Sequence, residues 1–199
     1  SAGPVDFDFT ANYTREKVKN RPALGDSQSN VGKNLMTLAG TYDQAWLKHY
    51  EDADGNYSNW NGNDQYNKNP YWDLYKNSNT SDKDVFRFTG KAIWNINKHL
   101  KLQGTIGTDI NSMNFEDFIA KTTPGTPAGK LTDQIFNNRT FNAEILALYN
   151  NSWGDFDVNA TAGGNIFKVN NKTTTNVGLN QQMNGIKNIM NYQEQNTRE

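Results

Sequence analysis

The chain contains no cysteine, which excludes disulfides, thiol nucleophiles and cysteine-held zinc. Its only two histidines, His49 and His99, lie far apart and form no His-Glu-x-x-His arrangement, so imidazole chemistry has little to work with. Charge of one sign is also missing: 20 basic against 21 acidic residues leave a net charge of -1. The lysines are dispersed, and the electrostatic footprint of a nucleic-acid binder is absent. No apolar run approaches the roughly 20 residues of a membrane-spanning helix, and mean hydropathy is -0.88. That low value does not exclude a membrane, because in a β-barrel only alternate residues meet lipid.

Alternation is what the chain does have. From Val85 to Asp109, Phe86, Phe88, Ala92, Trp94 and Ile96 alternate with Arg87, Thr89, Lys91 and Asn95; Asn97-Lys98-His99 turns; Leu100, Leu102, Gly104 and Ile106 then alternate with Lys101, Gln103 and Thr105. Strands of about ten residues with one apolar and one polar face are the pattern of an outer-membrane barrel wall. The rule predicts an all-β, antiparallel up-and-down meander of about five long strands near 4–16, 85–96, 100–110, 139–150 and 155–168, spanning residues 1–199 as part of a transmembrane β-barrel. Leu146 and Leu148 blur the polar face of the fourth strand.

Long connections near 19–84, 111–138 and 170–199 alternate with short ones at 97–99 and 151–154, as in barrels with long extracellular loops and tight periplasmic turns. Val31, Leu35, Leu38, Tyr42 and Trp46 recur at helical spacing and predict one short helix inside the first loop. Strand parity places Phe7, Phe9, Phe86, Phe88, Trp94, Leu100, Leu102, Ile106, Phe141, Ile145, Phe156, Val158 and Ile166 on one outer face. Tyr149, Trp94 and Trp153 are expected in an aromatic girdle at the short-turn end. An exported barrel with no secretory segment and no lipidation cysteine reads as an internal piece of a longer protein.

Several segments in order, Val18-Lys19-Asn20-Arg21-Pro22, Asn69-Pro70-Tyr71-Trp72, Asp84-Val85-Phe86-Arg87-Phe88-Thr89-Gly90, Leu100-Lys101-Leu102-Gln103-Gly104 with Gly107-Thr108-Asp109, and Trp153-Gly154-Asp155-Phe156 continuing to Thr161-Ala162-Gly163-Gly164-Asn165, resemble the barrel region of SusC/RagA-type TonB-dependent transporters of Bacteroidetes. The resemblance implies a bacterial outer-membrane importer of oligosaccharides or peptides, with a SusD-like surface lipoprotein as lid and TonB engaged through an N-terminal region outside this sequence. It implies no cofactor and no enzymatic step.

The first long loop supplies candidate binding residues. Tyr57, Trp60, Tyr66, Tyr71, Trp72 and Tyr75 are interleaved with Asn59, Asn61, Asn63, Asp64 and Asn67. Flat rings beside carboxamides suit sugars, peptides or a lid, and the same rings could instead form a small core that holds the loop together. Trp60 and Tyr66 are the best individual candidates outside the family motif. Asp52, Asp54 and Asn56 resemble a calcium loop in their alternating oxygens, yet the glycine falls too early and Asn63 stands where a closing glutamate belongs, so an acidic turn is the reading taken. The alternatives to the importer are a soluble β-sandwich that binds glycans and an all-β glycosidase, which would need two suitably spaced carboxylates.

Overall fold

A computed structural model describes residues 5–59, 62 and 64–199. The protein is all-β with a few short helices: β1 (Val5–Lys19), α1 (Val31–Met36), α2 (Gln44–Leu47), α3 (Pro70–Tyr75), β2 (Ser78–Asn95), β3 (Leu100–Ile119), β4 (Lys130–Trp153), β5 (Phe156–Gln181) and β6 (Tyr192–Arg198), with a 3-10 turn at Ile189–Asn191 before β6. The strands form one open antiparallel sheet in chain order, so each connection joins neighbours. Among the described residues no helix is long and apolar enough to cross a membrane.

Six strands stand where alternation predicts about five, and most run further than alternation shows. β5 continues to Gln181 and pairs with β6, from Thr175 opposite Arg198 to Gln181 opposite Tyr192, in a tail expected to be loop. Two of the added lengths share one property. Ser78–Asp84 and Lys172–Asn176 are polar on both faces, so they carry no period-two contrast. The second short turn also moves: β4 runs through Trp153, and Gly154 at φ +58 with Asp155 makes the reversal, rather than 151–154. The predicted single helix is two. Thr37 ends α1 with its hydroxyl on the carbonyls of Lys33 and Asn34, and Asp43 begins α2 by accepting from the Ala45 N–H.

The chain divides into two compact units. The first comprises residues up to Arg15, Lys83–Met113 and Phe136–Lys172. Here Phe7 and Phe9 stack at 6.1 Å, Phe9 and Phe88 at 6.4 Å, and Gly90 lies between Phe9 and Ile106. These contacts put Phe7, Phe9, Phe88 and Ile106 on one face. Phe7, Phe9, Ile145, Phe156 and Ile166 each expose more than half of their surface. The other face is tied by polar cross-strand pairs: Arg87 with Asp109 at 3.0 Å, Asn165 with Asn142 at 2.5 Å, and Asn150 with Asn159. The two short turns are neighbours, because the Asn150 N–H donates to the His99 carbonyl at 2.8 Å. Tyr149 sits between the rings of His99 and Trp153, 6.4 and 6.3 Å away.

Gly163 accounts for the leucine that blurs the polar face. A Cβ there would lie 2.3 Å from the Ile145 carbonyl oxygen and 2.5 Å from the Leu146 side chain. The bare backbone of Gly163 is what lets Leu146 lie flat across β5. Gly163→Ala is therefore expected to destabilise the protein by about 1–3 kcal/mol, as overpacked sites do, measured as a lowered urea midpoint with unchanged slope.

Candidate functional site

The second unit comprises Glu16–Asp82, Asn114–Ile135 and Thr173–Glu199, and it contains the buried core. Tyr57, Trp72, Phe118, Ala120, Leu131 and Tyr192 form that core, and Trp72 has no exposed surface. Local chemistry builds it. Asn69 caps α3 by accepting from the Tyr71 N–H, and Pro70 occupies the first turn, where its missing donor costs nothing. The Asn69 amide donates to the Leu47 and Ser58 carbonyls, and its own N–H donates to the Tyr57 hydroxyl at 2.7 Å. The Trp72 indole N–H donates to the Thr123 hydroxyl at 2.8 Å. Thr122, held at φ +67, accepts the Tyr57 N–H at 2.8 Å, so a strained β-branched residue anchors one core ring.

An ion pair lies beneath this loop. Lys68 meets Asp73 at 3.1 Å with each side chain only 4% exposed. Lys68 also donates to the Ser29 hydroxyl, and Asp73 accepts from the Asn77 amide at 2.6 Å. Four positions between 29 and 77 are thereby joined, and loss of either charge alone would leave the other buried without its counter-charge.

The six aromatic candidates separate accordingly. Tyr57 and Trp72 are core rings, packed edge to face at 5.4 Å. Tyr71 and Tyr75 stack at 6.1 Å, and Tyr75 stacks on Tyr50 at 5.6 Å. Tyr75 and Tyr66 are both largely exposed, and Tyr66 is held by its N–H donating to Asp64. Trp60 lies outside the described residues, as do Asn61 and Asn63. Tyr66 is separate from the stacked group.

A cleft of about 520 Å³ gives Tyr75 a setting. Its wall includes Asn20, Asn77, Asn184, Lys76 and Lys187. Lys76 pairs with Glu51 and stands 5.9 Å from the rings of Tyr50 and Trp72. Lys187 donates to the Ser78 hydroxyl and lies 5.0 Å over Phe118. An exposed ring, three carboxamides and two lysines can hold a polar ligand with one apolar face. A second cleft of about 550 Å³ shares Asn20, Leu74, Asn77, Ser78 and Phe118 with the first. Sequence reading missed Tyr50, Lys76 and Lys187. Tyr50 follows Trp46 and His49 in an aromatic run that could have marked it, whereas Lys187 sits in an Asn-rich stretch without any pattern.

The acidic turn is closed on itself. Asp52 accepts from the N–H groups of Asp54 and Asn56 at 2.9 and 2.8 Å and from the Asn56 amide, while Gly55 takes φ +78. Chiefly the Asn56 backbone bond, with help from the others, holds the Asp52 carboxyl below the usual aspartate range. The oxygens of Asp52 thus serve the turn. Among the described residues no three acidic or histidine side chains gather as a metal site.

Burial pushes the Tyr57 phenol up to about 12, reinforced by the nearby Asp73 charge and opposed by the Asn69 N–H. A raised folded value means stability that is complete below the ordinary tyrosine range, near 10, and lost as pH climbs toward 12. Burial also pushes Tyr192 up to about 12, so tyrosinate absorbance is expected to show two late-titrating phenols, one of which disappears in Tyr57→Phe, with the loop unit loosening in the same window. Titration of Tyr57 with the exposed tyrosines would contradict its burial.

Comparison with known protein families and with curated protein sequences gives no match to this chain.

Proposed function

We propose that the chain forms part of a transmembrane β-barrel in the bacterial outer membrane. In this reading it belongs to a TonB-dependent importer of oligosaccharides or peptides that works with a SusD-like surface lipoprotein and performs no catalysis. The observation that carries the reading is the exposed apolar face of the first unit, with Tyr149 and Trp153 at the short-turn end and the Arg15–Asp84 ion pair at the far end of β1 and β2. On β4, Phe141 to Trp153 covers about 40 Å of strand, which at a tilt of about 45° is about 28 Å of depth, close to the roughly 25 Å band of barrel walls. A water-soluble sheet rarely leaves so large an apolar surface open.

Open edges point the same way. β1 has a neighbour on one side only, and residues 156–174 of β5 lie beyond the stretch that β6 covers. Backbone groups along those edges cannot be satisfied by lipid, so a membrane setting requires further strands beside them. The substrate class, TonB coupling and the lid protein rest on the SusC/RagA resemblance. The Tyr75 cleft and the exposed Tyr66 supply surfaces that such a ligand or lid could use.

Reconstitution into vesicles of brominated lipid tests the membrane assignment. Tryptophan emission is expected to be quenched, and Trp94→Phe with Trp153→Phe is expected to remove most of the quenching. A protein that stays monodisperse without detergent and shows no quenching would overturn the membrane reading in favour of a soluble glycan-binding sheet. In cells carrying the intact transporter, Trp60→Ala and Tyr66→Ala are expected to lower uptake or lipoprotein association; unchanged values for both would leave the loop a structural role.

A further inference from the structure

Within the first unit, Arg139, Phe141, Phe167, Lys168, Val169 and Asn170 line a cleft of about 650 Å³ between β4 and β5. Arg139 and Lys168 are exposed, and neither has a salt-bridge partner among the described residues. Arg15 and Arg87 of the same unit, by contrast, meet Asp84 and Asp109. On β4, Arg139 shares its face with Phe141, Ile145 and Tyr149; on β5, Lys168 shares its face with Ile166 and Val158. Across 135–143 and 166–174, residues of that parity include no acid: Ile135, Asn137, Arg139, Phe141 and Ala143 face Ile166, Lys168, Asn170, Lys172 and Thr174. Two unneutralised cations therefore stand where the apolar run ends and polar residues begin.

We propose that Arg139 and Lys168 bind the phosphate of an acylated phospholipid, whose chain lies along Phe141, Ile145 and Ile166. The inference rests on the reading that this face meets lipid. A guanidinium offers a planar fork of donors to phosphate oxygens, and an ammonium adds a point charge beside it. Phe141, at the cleft wall and on the face of the two cations, provides apolar contact for the first carbons of a chain, and Ile145 and Ile166 continue that surface. A free phosphate would engage the cations and leave these apolar side chains wet; a neutral lipid would cover them and leave the cations unmatched. Only a molecule carrying both parts matches the whole cleft.

The test uses the full chain in phosphate-free detergent, with retained lipid measured by native mass spectrometry. The probes are phosphatidic acid and the diacylglycerol with identical chains. Phosphatidic acid is expected to be retained about thirtyfold better, as two basic groups near an anionic headgroup imply. Arg139→Gln with Lys168→Gln is expected to abolish that preference, while Lys98→Gln, at the short-turn end, leaves it intact. The exposed single variant Lys168→Gln, expected to lose about fivefold, serves should the double variant fold poorly. Equal retention of the two lipids, a preference untouched by the substitutions, or displacement of phosphatidic acid by millimolar inorganic phosphate would overturn the proposal. Brominated-lipid quenching of Trp94 and Trp153 in the same samples separates the two levels. Quenching without phosphate preference defeats this site alone, whereas absent quenching defeats the membrane reading beneath it.

Discussion

Everything in the sheet depends on the obligation of each backbone N–H and C=O to find a partner, combined with the fact that successive side chains leave a strand on opposite sides. A meander in which each strand lies beside the next in sequence meets that obligation with the shortest connections available. Once neighbours are fixed, residue parity decides the rest. Phe9, Phe88 and Ile106 must fall on one side, and Arg87 with Asp109 on the other. Glycine is required where a neighbour already fills the space of a side chain, as at Gly163 beneath Leu146 and at Gly178, where a Cβ would lie 2.6 Å from the Tyr192 ring.

The loop unit obeys a different logic. Its segments have little regular structure, so side chains take over the satisfying of backbone groups. Asn30, Asp43 and Asn69 each begin a helix by accepting a backbone N–H. Asn69 does most, capping α3, holding the carbonyl of Leu47 and receiving no water in return, because it is only 1% exposed. The abundance of asparagine in this stretch is thus a structural resource. A carboxamide donates and accepts at once, which suits a chain that must satisfy itself without ladders.

Much of the sheet was legible because hydropathy alternates wherever a strand separates two unlike environments. Phe86 to Trp94 and Leu100 to Ile106 announce their strands for that reason. The same strands fall silent where both faces are polar, which is why Ser78–Asp84, the end of β5 and all of β6 escaped a rule based on contrast. In the loop, composition identified the aromatic group but not the division of labour inside it. Tyr57 and Tyr75 look alike in sequence, yet one is 7% exposed and the other 66%. What separates them is α3: its turn carries Trp72 inward and Tyr75 outward, and nothing in the spacing announces that six-residue helix except Asn69-Pro70 at its start. The Arg139 and Lys168 pair needed two strands to be brought side by side before its lack of acids could be seen.

The free margin of β5 along residues 156–174 works as a ruler. Main-chain groups on such a margin are chemically uniform, so they discriminate little by side-chain identity and strongly by length. A short extended peptide laid there would complete a few rungs and leave the others bare, gaining little for the freedom it gives up. A mate of equal reach satisfies them together, and the match becomes cooperative. Span, rather than motif, thereby selects what can stand beside this sheet.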